Sequence, residues 1–362
     1  MESLQHLYIH IPFCPRICPY CSFYVQPANR RLMPSLIDAI LQEFDYYKKK
    51  YPLRIKTIFL GGGTPSALPT SELERLISVL TKHFAPTEFT LEMNPTTVSS
   101  EKAKILYELG INRVSLGAQS FDPNVLATLG RQHSPEKIIR SYEILHETGF
   151  PNLNIDLMFA VPGQSIESWQ KTLEKTLSLQ PEHISTYCLT YEEDTPFFEK
   201  IQKGQWQRNL EVETEFYLTS ILTLEKAGFQ HYEISNFAKP GKISEHNFAY
   251  WRGSNFIGLG PSAVSTVENQ RWQNISDLTL YLQGAQKNQW QKTNQETLSD
   301  ELREKEKIIF GLRTNEGAAI NPKFFDSFQQ LISAGYAQET KGRWILTQEG
   351  KLRADAIGEF FL

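Results

Sequence analysis

Three cysteines fall within eight positions near the start of the chain, and they are the first residues whose spacing suggests chemistry. Cys14, Cys18 and Cys21 form a C-x3-C-x2-C run, whereas the fourth cysteine, Cys188, stands alone. Four cysteines are too few for a disulfide framework in 362 residues, so a group of thiols this tight indicates metal chemistry. A four-iron, four-sulfur cluster usually takes four cysteines, and three would leave one iron open to a small ligand.

Zinc is the alternative metal for the same thiols. His6 or His10 would have to supply a fourth ligand, but both lie within a predicted strand. The spacing is also unlike the paired C-x2-C knuckles of structural zinc sites. The run therefore favours the cluster, and Cys188 is interpreted as a buried small side chain instead of a ligand.

A glycine-rich segment and several polar residues follow the cysteines, at places where strands are expected to end. GGGTP at 61–65 would let backbone amides approach a ligand closely, although alone it indicates only a tight turn. Four polar residues also fall near predicted strand ends: Glu92, Gln119, Arg131 and Asp156. Each of the four would otherwise be an ordinary helix cap or surface pair.

Six short β-branched or alternating runs predict the strands that would position these residues. They lie at 5–10, 55–60, 88–93, 113–117, 153–159 and 183–189, and helical patterns separate them. In one such pattern, the capping-box pair Ser71 and Glu74 predicts the start of a helix. Alternation of strand and helix implies a parallel α/β sheet, and six units suit a partial (βα)6 barrel better than a full eight-stranded one. Ligands would then lie at the carboxyl ends of the strands.

The alternation of strand and helix patterns ends after about residue 205, and we therefore predict three regions in the chain. Residues 1–205 form the partial barrel, 206–290 an extension that carries HNFAYW, and 291–362 a mostly helical, winged-helix-like domain. The Asn- and Gln-rich stretch at 268–295 is interpreted partly as a connector, and a hairpin is expected to turn at 341–342. Winged helices often bind nucleic acid, but no concentrated basic face is present here, so a packing or gating role is expected.

Charge and hydropathy set the remaining limits. The chain has 37 basic and 41 acidic side chains, a net charge of −4, which provides no electrostatic footprint for nucleic acid. No stretch approaches the ~18 apolar residues that cross a bilayer, and the first residues lack the pattern of a signal peptide. The expected location is the cytoplasm without a transmembrane segment, which is compatible with transient membrane association.

In the spacing of its cysteines the sequence resembles the radical S-adenosylmethionine superfamily, whose hallmark is the same run after a first strand. The resemblance implies that Cys14, Cys18 and Cys21 hold a four-iron, four-sulfur cluster whose open iron binds S-adenosylmethionine. It also implies a set of residues around that cofactor: Tyr8, Tyr20, Gly62, Gly63, Thr64, Glu92, Gln119, Arg131 and Asp156.

The resemblance also implies roles for these residues. The carboxylates of Glu92 and Asp156 are expected to accept hydrogen bonds from ribose hydroxyls or related groups. Gln119 and Arg131 would orient the cofactor, and the two tyrosines would line the pocket around the cluster and the adenosyl group.

Longer blocks narrow the resemblance to the oxygen-independent coproporphyrinogen III oxidase-like family: LYIHIPFC, FLGGGTP, RVSLGAQSF, NIDLMFAVPGQ and NFIGLGPSAVS. One branch, the oxidase itself, decarboxylates two porphyrinogen propionates and has a further cysteine two positions after the third cluster cysteine. Phe23 stands at that position here. The oxidase also has a substantial N-terminal extension, whereas only seven residues precede Tyr8.

The other branch comprises the HemW-type haem chaperones, whose HNxxYW motif is similar to HNFAYW in this chain. The resemblance implies that four residues bind haem as cargo: His246, Asn247, Tyr250 and Trp251. His246 is expected to ligate the iron axially, with Tyr250 as its nearest competitor and Trp251 packed against the macrocycle. Without the resemblance, the histidine would be an ordinary polar-loop residue.

The sequence therefore predicts a haem chaperone that holds the cluster and S-adenosylmethionine. Delivery of haem to membrane haemoproteins such as respiratory enzymes is implied by the resemblance alone. No oxidase activity is expected, and no residue is assigned a catalytic role. Porphyrinogen decarboxylation is the alternative function, and a scaffold with a vestigial cluster is the third.

Overall fold

The computed structural model describes residues 3–362, and twelve of its strands form one continuous sheet. The strands are β1 (Leu4–Ile11), β2 (Phe13–Cys14), β3 (Gln26–Pro27), β4 (Leu53–Gly62), β5 (Glu88–Met93), β6 (Arg113–Gln119), β7 (Leu153–Phe159), β8 (His183–Cys188), β9 (Gln230–Glu233), β10 (Asn236–Ala238), β11 (Phe256–Leu259), β12 (Val264–Val267), β13 (Gln270–Asn274), β14 (Lys292–Thr297), β15 (Ala318–Ala319), β16 (Ala337–Thr340) and β17 (Arg343–Leu346). The order in the large sheet is β14-β13-β12-β11-β1-β4-β5-β6-β7-β8-β10-β9.

Helices connect most of these strands. They are α1 (Met33–Lys50), α2 (Thr70–His83), α3 (Ser100–Glu108), α4 (Pro123–Thr128), α5 (Pro135–Thr148), α6 (Ile166–Ser178), α7 (Pro196–Gln202), α8 (Leu210–Lys226), α9 (Glu245–Trp251), α10 (Leu278–Gln286), α11 (Asp300–Leu312), α12 (Phe325–Ser333), α13 (Gln348–Lys351) and α14 (Ala354–Phe360). Within residues 3–362, no helix has the length and apolar character that a bilayer span requires.

The six predicted strands are all present and lie side by side, which confirms the partial barrel. β1, β4, β5, β6, β7 and β8 pair in parallel in that order. Parallel pairing requires a crossover between strands, and the intervening helices supply it. Apolar residues at every second strand position, such as Leu7, Ile9 and Ile11, are fully buried in the core.

The opposite face of the same strands, which lines the inside of the barrel, is polar. In β7, Ile155 is buried in the core, while its neighbours Asn154 and Asp156 share a 2.7 Å hydrogen bond on the other side. Successive strand residues point to opposite faces, so this alternation separates a packed outer face from an inner face. The inner face is where the predicted site residues meet.

The region from 206 to 290 is continuous with the barrel sheet. β9 and β10 extend it beyond β8, and β11, β12 and β13 extend it beyond β1. The expectation that 268–295 is partly a connector is wrong, because this stretch forms β13, α10 and β14. Its polar side chains pair with one another at the sheet edge, as Asn294 Nδ2 does with Gln273 Oε1 at 2.8 Å. Edge strands of this kind lack the apolar alternation that reveals a strand in a sequence.

The C-terminal residues form a unit with a hydrophobic core of its own. α11, α12 and α14 pack with the small sheet β15-β17-β16 around Phe328 and Trp344, whose rings stack at 3.5 Å between centroids. The predicted hairpin is present: Lys341 and Gly342 both have positive φ, 52° and 71°, as two-residue hairpin turns require. The arrangement of helices and a small hairpin sheet agrees with the winged-helix-like expectation.

The predicted capping box at the start of α2 is wrong. The helix begins at Thr70, and Ser71 lies inside its first turn; Pro69 at the N-cap position makes no side-chain capping bond. Proline has a fixed φ that favours a helix start, so the helix begins before the serine that the motif singled out.

Candidate functional site

The cysteine loop begins directly after β1 and is clamped by the glycine-rich segment. Cys14 ends the short strand β2, and the amide of Cys21 donates to the Cys18 carbonyl at 3.1 Å. The amide of Gly63 donates to the Ile11 carbonyl, and that of Thr64 to the Phe13 carbonyl, each at 2.8 Å. Two amides that were expected to face a ligand therefore hold the loop in place.

The thiols of this loop share one electrostatic environment. Burial, reinforced by the neighbouring thiols of Cys21 and Cys18, raises the pKa of Cys14 to about 11, although the Thr64 hydroxyl donates to its Sγ at 3.6 Å. Burial also raises the pKa of Cys21. Arg131 Nη1 donates to Cys18 Sγ at 3.4 Å. Metal binding requires thiolates, so a cationic centre would have to replace these protons.

The donor set fits a cluster better than a single zinc ion. In residues 3–362, no three Cys, His, Asp or Glu side chains converge as the ligands of one ion would. Cluster cysteines bind different irons, so their sulfurs stand apart around it. Of the two histidines that zinc would need, His10 has both ring nitrogens hydrogen bonded, to the Tyr8 hydroxyl and the Tyr24 carbonyl. The other, His6, bonds Thr57 on the inner face.

Cys188 lies apart from this loop. It ends β8 and packs partly buried against the main core. Its Sγ lies 3.9 Å from the Leu189 carbonyl and also hydrogen bonds Glu213. Burial, with a smaller effect of Glu213, raises its pKa to about 12. Its surroundings agree with the interpretation as a small buried side chain.

Two carboxylates meet on the inner face above the middle of the barrel. Burial, and then the charge of Asp156, raise the pKa of Glu92 to about 8, while the Gly62 amide donates to it. Burial also raises the pKa of Asp156, which accepts from Ser115 Oγ at 2.9 Å. Acceptors held in a desolvated pocket are suited to the hydroxyls of a ribose.

Arg131 and Gln119 lie over Gly117 at the end of β6. Arg131 Nη2 donates to the Gly117 carbonyl at 2.7 Å, whereas its Nε is buried with no partner among the described residues. Gln119 has a positive φ of 69° next to an irregularity in the strand pairing. A β-carbon on Gly117 would lie 3.1 Å from Gln119 Nε2. An unpaired guanidinium nitrogen is the donor that a ligand carboxylate would satisfy.

The remaining predicted cofactor residues border the same space. The Tyr8 hydroxyl bonds His10 Nδ1 at 3.0 Å, and the Tyr20 ring packs 6.0 Å from that of Phe197. A β-carbon on Gly62 would lie 2.6 Å from the His10 ring, which explains the glycine. Direct contacts link Gly63, Thr64, Arg131 and Tyr20 to the cysteine loop. The chemistry of these residues is of the kind that an amino-acid cofactor such as S-adenosylmethionine would require.

The HNFAYW segment forms helix α9, which fills the other end of the barrel. Glu88, at the start of β5, accepts from the amides of Glu245 at 2.7 Å and His246 at 3.1 Å. Thr57 Oγ1 lies 2.7 Å from His246 Nδ1. A carboxylate at the first turn of a helix stabilises its positive end, so Glu88 fixes α9 inside the barrel.

The motif histidine lies in a helix inside the barrel, so it is not an ordinary polar-loop residue. His246 is fully buried, at 0% exposure, and its Nε2 lies 2.8 Å from the Tyr250 hydroxyl. Burial, and then His6 and Arg113, lower the pKa of His246 well below its usual range, so the imidazole is neutral. Asn247 is half-buried, and its amide donates to Ser244 Oγ at 3.4 Å.

Tyr250 and Trp251 border a cavity of about 550 Å³ between the barrel and the C-terminal unit. Its wall combines aromatic side chains with small polar residues and two arginines, one in β13 and one in α11. The residues that line it include Tyr8, His10, Phe23, Tyr24, Phe256, Arg271, Arg303 and Phe310. Because Tyr8 and His10 also border the cofactor residues, the cavity adjoins the predicted cluster site.

Sequence reasoning missed several of these residues. Thr57 and Glu88 lie inside predicted strands, and the available signal was the alternation of polar residues on one face, as in Glu88, Thr90 and Glu92 of EFTLEM. Arg271 and Arg303 had no local signal, because they face the cavity only through the packing of distant segments.

Comparisons with known proteins identify the family and the fold of the chain. The profile of the radical SAM superfamily matches residues 8–176. "Heme chaperone HemW" of Bacillus subtilis strain 168 is 32% identical, over 99% of each chain. The protein of the same name from Lactococcus lactis strain IL1403 is 34% identical, over 91% of this chain and 88% of its own. The solved structure titled "Coproporphyrinogen III oxidase (HemN) from Escherichia coli is a Radical SAM enzyme" superposes with a TM-score of 0.85 at 23% identity, over 99% of this chain and 90% of the other.

Proposed function

Since the chain belongs to the radical SAM superfamily and, within it, to the family of HemW-type proteins, we propose that it is a haem chaperone. It binds haem as cargo beside a four-iron, four-sulfur cluster and S-adenosylmethionine, and passes the haem to membrane haemoproteins such as respiratory enzymes. The names of the relatives from Bacillus subtilis and Lactococcus lactis, both haem chaperones, support haem handling. The identity of the recipients rests on the family resemblance.

The observation that carries the proposal is the aromatic cavity beside the cofactor residues. The two aromatic residues of the motif, Tyr250 and Trp251, open onto it together with Phe256 and Phe310. Flat aromatic side chains suit the faces of a macrocycle. Arg303, which lines the same cavity, places positive charge where propionates could approach.

The residues around the cavity have distinct parts in this proposal. Cys14, Cys18 and Cys21 hold the cluster, which with S-adenosylmethionine supplies one-electron chemistry when bound. Arg131 and Gln119 orient the cofactor, and Glu92 and Asp156 accept its hydroxyl groups. The HNFAYW residues His246, Asn247, Tyr250 and Trp251 form the haem-binding segment, and no residue is proposed as catalytic.

Porphyrinogen decarboxylation is the second candidate, because a cavity that admits haem also admits coproporphyrinogen. The fold shared with the oxidase structure is compatible with either. Phe23, which occupies the position of the oxidase's extra cysteine, lines the cavity with its side chain 68% exposed. A phenyl ring there cannot supply the thiol, which favours the chaperone.

One experiment separates the two functions. The cluster is reconstituted anaerobically, and haem and coproporphyrinogen are offered in parallel with S-adenosylmethionine and a reductant. We expect haem to be retained through gel filtration and coproporphyrinogen to be recovered unchanged. Multiple-turnover formation of vinyl groups would reverse the assignment, and absence of both iron and haem uptake would point to a vestigial scaffold.

A further inference from the structure

The motif histidine has no nitrogen free for iron. One ring nitrogen of His246 lies 2.7 Å from Thr57 Oγ1 and the other 2.8 Å from the Tyr250 hydroxyl. The Phe59 ring packs against the imidazole at 5.3 Å between centroids. Direct ligation of haem by His246 would require a buried hydrogen bond to break and Tyr250 to move away.

Tyr250 stands between His246 and the cavity. The tyrosine borders the cavity and is partly exposed, whereas His246 is fully buried. The Tyr250 ring packs edge-on against the Phe256 ring, with 4.6 Å between the ring centroids. A hydroxyl has one proton and two lone pairs, and the contact with His246 uses only one of these three positions. The oxygen is therefore able to take a second partner.

The hydrogen bonds behind Tyr250 form an ordered chain. When the neutral imidazole of His246 accepts from Tyr250 at Nε2, its Nδ1 carries the proton and donates to Thr57. The Thr57 hydroxyl is then left to donate to His6 Nδ1, which lies 2.8 Å away. Every polar group in the chain has one defined role, so the direction of the Tyr250 hydroxyl is fixed from behind.

We infer that the phenol oxygen of Tyr250 is the side-chain group that meets the haem iron, and that His246 is a positioning residue behind it. This assignment rests on the proposed haem-binding function and specifies which protein atom contacts the haem iron. The oxygen donates a lone pair to the iron, and its proton passes to His246 Nε2 while the proton on Nδ1 moves through Thr57 to His6, which is partly exposed and releases a proton to solvent. His246 then donates to the phenolate, and the iron keeps its oxidation state. Tyrosine is an established type of haem ligand.

The test compares two tyrosines that each contact a histidine. Tyr250→Phe removes one oxygen and keeps the ring packing. Tyr232→Phe is the matched control, because its hydroxyl lies 2.7 Å from His183 Nε2 at a buried position away from the cavity. Each protein is titrated with ferric haem, and optical and resonance Raman spectra are recorded for the phenolate-to-iron signal.

We expect the parent and Tyr232→Phe to show the phenolate signal, and Tyr250→Phe to lose it with about tenfold or greater loss of affinity. His246→Ala should weaken the signal, and His246→Gln, whose side-chain amide N–H can still donate to the phenolate, should recover it. This rescue distinguishes positioning from ligation.

Other outcomes overturn the assignment. The histidine would be identified as the ligand if Tyr250→Phe had the same spectrum and the same haem-titration midpoint as the parent while His246→Gln lost haem. If Tyr250→Phe does not fold, absence of the phenolate signal from the parent alone refutes the assignment. Failure of the parent to bind haem at all would instead refute the proposed function.

Discussion

The three loop cysteines differ from Cys188 in ways that an iron measurement can detect. Cys14 and Cys18 receive hydrogen bonds at sulfur, from Thr64 and Arg131, whereas the thiol of Cys188 donates to the Leu189 carbonyl and lies beside the Glu213 carboxylate. We expect alanine at any loop position to abolish most bound iron and the broad visible absorbance of the reconstituted protein. Cys188→Ala is the control and should retain both. The opposite pattern, with iron lost in Cys188→Ala and kept in Cys18→Ala, would contradict the assignment.

The cysteine loop could be predicted from local spacing, whereas the surroundings of the motif histidine could not. Cys14, Cys18 and Cys21 are close in the chain, so one loop must bring them together whatever the rest of the fold does. Thr57 is 189 positions from its partner His246. A single sequence contains no signal for such a pair, so the expectation that His246 ligates the haem iron could not take account of its buried partners.

At the level of elements, the barrel strands were predicted and the added strands were not. β5 and β7 have the bounds predicted for them, because buried parallel strands leave strong apolar runs. β14 is mostly exposed, and its sequence resembles a polar loop. The start of α2 was misplaced because a proline, not the predicted serine, precedes the helix.

One buried carboxylate joins α1 to these added strands. Glu43 is fully buried and accepts from the amide of Gly260 after β11 at 2.9 Å, from Asn274 Nδ2 in β13 at 2.8 Å, and from the Tyr281 hydroxyl in α10 at 2.6 Å. Burial, partly offset by these donors, raises its pKa to about 7 from an ordinary 4.5. Titration of this group therefore couples to the packing of three elements.

The sign of the pH effect follows from the raised pKa of Glu43. The folded state holds this proton more tightly than the unfolded state, so the contribution to stability is fully present below about pH 4.5 and is lost as the pH rises through about 7. We expect Glu43→Gln, which cannot ionise, to lose less stability than the parent between about pH 5 and pH 8, by about 2 kcal/mol. Urea unfolding at several pH values measures the difference.

The control for this prediction lies on the same helix. Asp45 is an exposed acid whose side chain pairs with Lys48 on the surface. Asp45→Asn should therefore follow the parent's pH dependence. Equal pH dependence in Glu43→Gln and the parent would show that Glu43 stays ionised when folded.

The whole molecule has two principal cores, and the aromatic-lined cavity lies where they meet. The C-terminal core, around Phe328 and Trp344, is separate from that of the barrel. Arg271 in β13 donates to both carboxylate oxygens of Glu306 in α11, at 2.7 and 2.8 Å. A bidentate pair is geometrically specific as well as attractive, so it fixes the angle at which α11 covers the cavity.

Loosening this pair should affect release of the cargo while leaving both cores intact. Glu306→Gln keeps the shape but removes the charge that faces Arg271, and a half-buried pair of this kind is worth about 1 kcal/mol. Because Arg303 and Phe310 on the same helix line the cavity, we expect haem to dissociate about fivefold faster in the variant, measured by transfer to apomyoglobin.

Glu304→Gln is the matched control, since Glu304 pairs with Lys323 on the surface of the C-terminal unit and not with the barrel. Iron content should equal the parent's in both variants, because the cysteine loop is not touched. Equal dissociation rates in the two variants would show that α11 does not cover bound haem. Haem would then have to leave the cavity on the side formed by the barrel.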